Sequence, residues 1–203
     1  MKLLIATRSD HKLREIRQIL EKVPELEVLS LVDAGVEPDP AEDDLEPYDT
    51  FAENALSKAR HFARKTGLPT AADDSGLEVD ALGGRPGVRS KRYAPEDGPG
   101  VDQDDRNNHH LLVELEGTPD AARTARYVCV VAWIDAEGRE RHVRGTLEGR
   151  IATAPDGDGG FGYDPLFYVP DFGGTLGTIA PERKNAVSHR GEAFRALATE
   201  LAR

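Results

Sequence analysis

Apolar runs in the first part of the chain predict a strand, a helix and a second strand in succession. Residues 2–6 form a short apolar run that is typical of a buried strand, and Ser9 then offers a helix N-cap. Four apolar residues follow at helical spacing: Leu13, Ile16, Leu20 and Val23. They predict a helix over about residues 10–22, which Pro24 ends. Apolar residues over 26–31 indicate the second strand.

The next segment begins with residues 33–48, which are acidic and contain prolines, and are therefore predicted to form a surface loop. Thr50-Phe51-Ala52-Glu53 has the pattern of a capping box and predicts a helix that runs to about Thr66. A short strand follows at Ala71 and Ala72. We predict that it ends at the sequence Asp73-Asp74-Ser75-Gly76.

The second half of the chain adds a hairpin and further helices. In order, the predicted elements are a loop over residues 83–100, a helix over 107–116, strands over 127–134 and 141–151 joined by the turn Ala136-Glu137-Gly138, and a final helix over about 188–201. These connections predict an α/β fold with a mixed central sheet flanked by helices. We expect Ser9–Lys12 and Asp73–Gly76 at strand-to-helix turns, where the carboxyl ends of parallel strands form a crevice.

Composition narrows the class of protein. The chain has 203 residues, 38% hydrophobic and 31% charged, as expected for one globular domain or two closely joined lobes. A net charge of −11 argues against binding to DNA or RNA but permits a small phosphorylated substrate. No apolar run reaches the roughly 18 residues of a membrane helix, and the first run is too short for a signal peptide. The one cysteine, Cys129, lies in an apolar run, so we expect an inert buried thiol and a cytoplasmic protein. From the lack of a long apolar run we expect no binding to membranes.

Two carboxylates, a hydroxyl and a glycine stand together at Asp73–Gly76. Hard cations such as Mg²⁺ bind one or two carboxylates together with phosphate oxygens, so this sequence is a candidate metal site. On these four residues alone a simple turn is slightly favoured, because Asp, Ser and Gly are common turn residues. Glu53 likewise has two interpretations, a metal ligand or the partner in a capping box, and capping is the more frequent one.

Two lysines are candidates for binding phosphate. Lys12 lies in the first turn of the predicted helix after Ser9, where backbone amides bind anions and a lysine adds positive charge. Lys58 shares a helix face with Asn54 and could reach a phosphate, although a solvated lysine is the commoner case.

Three glycines spell the G-x-G-x-x-G pattern of dinucleotide-binding folds: Gly157, Gly159 and Gly162. We reject that interpretation because Pro165 prevents the helix that should follow. A flexible loop that offers Phe161 for stacking on a base fits better, with a core phenylalanine as the alternative.

Ser188 is a candidate N-cap for the last helix, and His189 and Arg190 could contact a base carbonyl or a phosphate, or lie on the surface. Spacing alone therefore predicts an enzyme that binds anions and metal.

Taken together, these segments resemble the inosine triphosphate pyrophosphatase family of house-cleaning enzymes. The matching blocks cover nearly the whole chain in order, and are Ala6-Thr7-Arg8-Ser9 with Lys12, Thr50-Phe51-Ala52-Glu53-Asn54-Ala55 with Lys58-Ala59, Asp73-Asp74-Ser75-Gly76-Leu77, Gly84-Arg85-Pro86-Gly87-Val88 with Ser90 and Arg92-Tyr93-Ala94, Gly160-Phe161-Gly162-Tyr163-Asp164-Pro165-Leu166-Phe167, and Lys184-Asn185 with Ser188-His189-Arg190-Gly191. The resemblance implies a single pyrophosphatase domain over residues 1–203, elongated, with an active-site cleft between two lobes. It also implies a homodimer.

The resemblance further implies hydrolysis of ITP, dITP and XTP to the monophosphate and pyrophosphate, with Mg²⁺ or Mn²⁺ as cofactor. Asp74 would bind the metal and act as general base, and Glu53 and Asp73 would help to hold the metal. The phosphates would be surrounded by Thr7, Ser9, Lys12, Lys58, Ser75 and Lys184. The base would stack on Phe161, with Gly162 and Tyr163 also at the substrate, and its edge would be read by Asp164, His189 and Arg190.

Ser9 departs from the family pattern, because the family usually has asparagine there. Serine is shorter and lacks the amide donor. The Maf-like nucleotide pyrophosphatases, which act on modified pyrimidine or other nucleotides, often have serine at this position and are the alternative. The blocks Phe161–Phe167 and Ser188–Gly191 favour the inosine triphosphate family. The acidic cluster disfavours a non-catalytic nucleotide-binding module, and the net charge disfavours a nucleic-acid-binding protein.

Overall fold

The computed structural model describes residues 1–202, apart from the side chains of residues 181, 182 and 185, and these residues form seven strands and five α-helices. The strands are β1 (Lys2–Ile5), β2 (Glu27–Leu29), β3 (Thr70–Val79), β4 (Thr124–Ile134), β5 (Glu140–Ile151), β6 (Phe167–Val169) and β7 (Gly174–Thr175). The helices are α1 (Asp10–Leu20), α2 (Phe51–Thr66), α3 (Gln103–Glu114), α4 (Pro181–Val187) and α5 (His189–Leu201).

These seven strands form one mixed sheet in the order β2-β1-β3-β4-β5-β6-β7. β1 is parallel to both of its neighbours, with Leu4 opposite Leu29 of β2 and Thr70 of β3. β6 is antiparallel to β5 and to β7. Parallel strands connected through helices, next to antiparallel strands, define an α/β fold, and the predicted fold class is confirmed.

The chain divides into two compact units that are each assembled from separate segments. The first unit contains Met1–Ser75, Cys129–Gly145 and the residues from His189 onward, and the second contains Gly76–Val128 and Thr146–Ser188. Because the divisions fall at Ser75, Val128 and Gly145, strands β3, β4 and β5 each contribute residues to both units.

The core of the first unit lies on both faces of β1. Leu3 and Ile5 belong to one apolar cluster, which includes Ile16 of α1. Leu4 belongs to a second cluster, which includes Phe62 of α2. Successive strand residues point to opposite faces, so a strand that is buried on both faces must be apolar throughout. This explains the continuous apolar run at the start of the chain.

The core of the second unit is a single apolar cluster. It contains Leu77 and Val79 from the end of β3, residues of α3 and β4, and residues of the segment that follows β5; its largest members include Leu111, Leu115, Tyr127, Ile151, Tyr163, Leu166 and Phe167. Side chains in this cluster are nearly or fully buried, which anchors α3 and the segment before β6 in one body.

The prediction of a short strand that ends at Asp73 is wrong. β3 continues to Val79, and Asp73–Gly76 lies inside the strand and not at a turn. The apolar pattern resumes at Leu77 and Val79, both of which are fully buried. Burial of these side chains and pairing in the sheet outweigh the local preference of Asp, Ser and Gly for turns. The turn interpretation of this sequence is therefore also wrong.

Most other predicted elements are confirmed, with shifted ends. α1 and α2 lie where predicted, and β4 and β5 are neighbours in the sheet joined by residues 135–139. α3 begins at Gln103, four residues before the predicted start at residue 107, because Asp102 caps it by accepting the Asp105 N–H. The short helix α4, which begins with Pro181, was not predicted. No helix within residues 1–202 is both long and apolar enough to cross a membrane.

Candidate active site

The first turn of α1 brings Lys12 to the carboxylate of Asp73. Ser9 caps the helix by accepting the Lys12 N–H at 3.4 Å, and the Ser9 N–H donates to Thr7 Oγ1 at 3.2 Å. The predicted N-cap at Ser9 is therefore confirmed. Lys12 Nζ donates to Asp73 Oδ2 at 2.9 Å, so this lysine is directed at β3.

Asp73 is a buried carboxylate surrounded by positive charge. Its side chain is 2% exposed and is paired with Lys12, and the Arg190 guanidinium lies 3.6 Å away. Burial alone would raise the pKa of Asp73, but the charges of Lys12, Arg190 and Lys58 outweigh burial and hold the pKa well below its ordinary value. Asp73 is therefore a permanent anion that positions the cations around it.

Asp74 has the opposite environment, although it is the next residue of the same strand. Successive strand residues point to opposite faces, so the two carboxylates enter different surroundings. Asp74 Oδ1 accepts the Ser75 N–H at 2.9 Å, and Oδ2 accepts Asn54 Nδ2 at 3.1 Å. Burial and the nearby charge of Glu46 raise the pKa of Asp74 to about 6, against the opposing effects of Lys58 and Asn54. Neighbouring carboxylates with separated pKa values are typical of active sites.

Lys58 connects α2 to this carboxylate pair. Its Nζ donates to the backbone carbonyl of Asp73 and forms an ion pair with Glu46. Burial would lower the pKa of Lys58, but Asp73, Glu46 and Asp74 raise it above the ordinary value. Lys58 is therefore a charged group whose side chain is only 14% exposed, and the solvated alternative is wrong.

Glu46 was missed by the sequence analysis. It lies in the acidic segment predicted as a surface loop, its side chain is 48% exposed, and it interacts electrostatically with Lys58 and Asp74. No local pattern distinguishes it from the other acidic residues of that segment. Only its proximity to Lys58 in the folded chain identifies it.

Arg190, near the C-terminal end of the chain, also contacts this group of residues. Its guanidinium donates to Glu15 of α1 at 2.9 Å and to Ser75 Oγ at 3.4 Å, and it faces Asp73. Arg190 and His189 are 4% and 7% exposed, so the interpretation of either residue as surface decoration is wrong. Glu15 was also missed, because its partner lies 175 residues away in sequence. The proposed reading of a base edge by His189 and Arg190 stays a prediction.

Glu53 is exposed at the start of α2 and takes part in capping. The Glu53 N–H donates to Thr50 Oγ1 at 3.2 Å, and the Thr50 hydroxyl donates to Glu53 Oε2 at 2.6 Å. The predicted N-cap at Thr50 is confirmed, with the glutamate bound to the threonine hydroxyl. Its role as a metal ligand stays a prediction.

In the second unit, the aromatic ring of Phe161 packs against the buried ion pair between Lys184 and Asp164. Lys184 Nζ donates to Asp164 Oδ2 at 2.6 Å, and Asp164 and Lys184 are 2% and 9% exposed. The same ammonium lies 4.6 Å from the centre of the Phe161 ring, a cation–π distance. Phe161 itself is 51% exposed, so it is not a core residue. The structure thus places Lys184, predicted at the phosphates, directly against the aromatic ring.

The glycine-rich segment does not open a helix, which confirms the rejection of a dinucleotide-binding motif. Gly160 has φ of +79°, and a Cβ there would lie 2.0 Å from Asp164 Oδ2. Glycine is therefore required for Asp164 to approach the loop. Tyr163 is buried and donates from its hydroxyl to the Ser90 carbonyl at 2.8 Å, so it anchors the loop to the core.

The residues that could hold a metal are few. Among the described residues, no group of three or more His, Cys, Asp or Glu is arranged to enclose an ion. Mg²⁺ needs only one or two carboxylates and completes its coordination with phosphate oxygens and waters. Asp74 and Glu46, whose charges interact, fit an ion that arrives with a phosphorylated ligand. Glu46 is paired with Lys58 but its side chain is 48% exposed, whereas Asp73 is paired with Lys12 and is only 2% exposed, so Asp73 is the less accessible of the two to an ion.

Comparisons with known proteins agree with this arrangement. Residues 3–200 match the profile of the Ham1 family. A Geobacter sulfurreducens protein named dITP/XTP pyrophosphatase is 48% identical over 200 residues, which cover 98% of this chain and 96% of the relative. A Shigella flexneri protein of the same name is 45% identical over 202 residues and is covered to 98%, as is this chain.

Solved structures give the same result. The structure of a HAM1 protein from Coxiella burnetii superposes with a TM-score of 0.86 at 38% identity, covering 99% of this chain and 98% of that one. A structure described as nucleoside-triphosphatase / dITP/XTP pyrophosphatase from Mycobacterium abscessus has a TM-score of 0.75 at 43% identity, covering 97% and 98%.

The fold and the site define an α/β protein in which paired carboxylates, lysines and an arginine lie close together at a mixed sheet. This set of residues is typical of an enzyme that acts on phosphorylated ligands. The chain belongs to the Ham1 family, and the resemblance identified from its sequence blocks is confirmed.

Proposed function

We propose that this chain, a nucleoside triphosphate pyrophosphatase, hydrolyses ITP, dITP and XTP to the monophosphate and pyrophosphate with Mg²⁺ as cofactor. In this role it removes non-canonical purine nucleotides from the nucleotide pool. The observation that carries the proposal is Asp74, a buried carboxylate whose pKa is raised to about 6 beside Lys58 and Glu46. The names of the curated relatives supply the substrate class.

Asp74 is suited to accept a proton from the attacking water. Without bound metal, a pKa of about 6 leaves Asp74 ionised above pH 7 and makes it a stronger base than an ordinary aspartate. Its two hydrogen bonds, from Ser75 and Asn54, fix the carboxylate before substrate arrives. Proton transfer therefore needs little rearrangement of the side chain.

The cations of the first unit are suited to the triphosphate. Lys12 and Lys58 are held in place by Asp73, which lowers the entropic penalty of ordering two long side chains when substrate binds. Attack at the α-phosphorus makes pyrophosphate the leaving group, and its growing negative charge is stabilised by such fixed cations. Mg²⁺, held by Asp74 and Glu46 together with phosphate oxygens, would neutralise further charge on the departing pyrophosphate.

The aromatic ring of the second unit is suited to the base. Phe161 is half exposed, and one face of its ring is covered by the Lys184 ammonium. Stacking on a purine uses the exposed part of the ring. Hypoxanthine and xanthine carry a C6 oxygen where adenine carries an amino group, so hydrogen-bond donors at the base edge, for which His189 and Arg190 stay the predicted residues, would favour them over adenine.

The test is the release of pyrophosphate and of phosphate, measured separately with Mg²⁺ for ITP, dITP, XTP, ATP, GTP and a modified pyrimidine triphosphate. We expect rapid pyrophosphate release from the first three and little from ATP and GTP. Activity confined to the pyrimidine would favour a Maf-like specificity and give Ser9 a role. Binding of ITP without turnover would refute the proposed reaction. Light scattering of the purified enzyme tests the homodimer, which forms part of this proposal.

A further inference from the structure

The backbone N–H and carbonyl groups of Phe161 and Gly162 are all hydrogen-bonded, although these residues lie outside helices and strands. The Phe161 N–H donates to Asp164 Oδ2 at 2.9 Å, and the Phe161 carbonyl accepts the Asp164 N–H at 3.3 Å. The Gly162 N–H donates to Asp104 Oδ2 at 2.7 Å, and the Gly162 carbonyl accepts Asn108 Nδ2 at 2.9 Å. A loop with positive φ at both flanking glycines is thus fixed in one conformation.

Two of these four bonds come from α3, which the sequence analysis did not connect with the substrate. Asp104 and Asn108 are four residues apart and therefore share a face of the helix. They bind opposite sides of the same residue, Gly162, one as acceptor and one as donor. Leu111, one turn further along the helix, is fully buried in the core of the second unit, so the two clamping residues lie on a helix that is anchored in that core.

Asn108 has a feature that stability alone does not explain. Its Oδ1 is buried with no hydrogen-bond partner among residues 1–202, while its Nδ2 donates to Gly162. A buried oxygen without a partner lowers the stability of the fold, and a leucine of similar size would avoid this loss. The contribution of this asparagine is therefore its Nδ2 donor, which binds the Gly162 carbonyl next to Phe161.

We propose that Asp104 and Asn108 are positioning residues for base recognition: by clamping both sides of Gly162 to α3, they hold the Phe161 ring ready to stack on the purine. The inference rests on the proposed function, in which Phe161 is the stacking residue. Neither residue touches the reacting phosphates in this scheme. Their loss should weaken substrate binding through the base and leave the chemical step intact, because a preorganised ring needs no ordering when the base arrives.

The first experiment measures kcat and KM for ITP in Asp104→Ala, Asn108→Leu and the double variant. We expect KM to rise about fivefold for each single variant, with kcat within about twofold of wild type. Loss of the negative charge of Asp104 would by itself favour an anionic substrate and lower KM, so a rise in KM identifies the lost clamp. Asp104→Asn keeps an acceptor oxygen for the Gly162 N–H and should restore most of the affinity.

The matched control is Asp105→Ala, which removes the same charge from the same helical turn without touching Gly162, and should leave KM unchanged or lower it slightly, but should not raise it. Thermal melts check the fold; Asn108→Leu should melt within about 3 °C of wild type because it also removes the unpaired oxygen.

The decisive comparison places the same substitutions in a Phe161→Ala background. There they should have no further effect on KM, because the ring that they position is gone. If Phe161→Ala raises KM but the α3 variants do not, or if their effects persist without Phe161, the positioning role is refuted while stacking stands. If Phe161→Ala itself leaves KM unchanged, the base-stacking part of the proposed function fails, and this inference fails with it.

Discussion

Replacement of Asp74 by asparagine is expected to stop catalysis and, at the same time, to stabilise the protein. Asparagine has nearly the same shape but carries no charge and cannot accept a proton. Loss of a general base lowers kcat by about 10²–10⁴-fold, while nucleotide binding should change much less because Lys12, Lys58 and Glu46 are unaltered and asparagine keeps one oxygen for the metal. The gain in stability follows from the burial of the carboxylate, which is 8% exposed.

The magnitude can be worked from the environment of Asp74. Its pKa is raised from 3.8 to about 6, so the folded state disfavours the ionised form by about 3 kcal/mol. Asparagine removes this penalty but has one acceptor oxygen instead of two. It therefore loses one of the hydrogen bonds from Ser75 and Asn54, worth about 1 kcal/mol. The net gain at pH 8 is about 2 kcal/mol, or about 4–8 °C in Tm for a chain of this length.

The pH dependence provides the check on this reasoning. Because the pKa of this acid is higher in the folded state, the wild type loses stability as pH rises from about 4 to about 6, and the loss is complete above that range. The advantage of the Asp74→Asn variant should therefore be roughly 1 kcal/mol smaller at pH 5 than at pH 8.

Urea denaturation of both proteins at pH 5 and pH 8, without nucleotide or metal, measures these differences. Asp97→Asn, at an exposed aspartate of the second unit, serves as a control that should show no such gain in stability. An Asp74→Asn variant less stable than wild type at pH 8 would refute the reasoning. So would an advantage of equal size at both pH values.

Three further predictions concern the base site, the metal and the thiol. Phe161→Ala should raise KM for ITP about tenfold or more, with kcat within about twofold, in steady-state kinetics; an unchanged KM would contradict stacking. Removal of divalent cations with EDTA should abolish pyrophosphate release, and addition of Mg²⁺ should restore it; turnover that survives chelation would exclude the metal requirement. Cys129 is fully buried and burial raises its pKa to about 12, so a thiol reagent at pH 8 should not label the native protein and should label one thiol per chain after denaturation.

Local sequence patterns correctly predicted those elements of the fold that depend on a few neighbouring residues. Helical spacing and caps identified α1 at Ser9 and α2 at Thr50, and two apolar runs around Gly138 identified the β4–β5 hairpin. The break introduced by Pro165 was enough to reject a dinucleotide-binding motif. Each of these signals acts over a few residues, so it can be detected without knowledge of the rest of the chain.

Features that depend on distant partners were missed. Asp73–Gly76 has the composition of a turn, and only burial of Leu77 and Val79 keeps it in β3. Glu46 became part of the candidate site only through Lys58, and Glu15 only through Arg190. Sequence blocks shared with a family can indicate that a residue matters, but the identity of its partner is a property of the folded chain.

The bond between Arg190 and Glu15 has a consequence for the order in which this protein becomes active during synthesis. It joins residues 175 positions apart, and the first unit needs its third segment, which begins at His189, to complete the charge balance around Asp73. Both segments of the second unit precede that point in the chain, so α5 is the last part of the two units to be synthesised. A nascent chain that lacks residue 190 thus has Asp73 and Asp74 but not the guanidinium that faces Asp73. Interrupted translation should therefore release inactive fragments, and not a partly selective hydrolase acting on the cell's normal nucleotides.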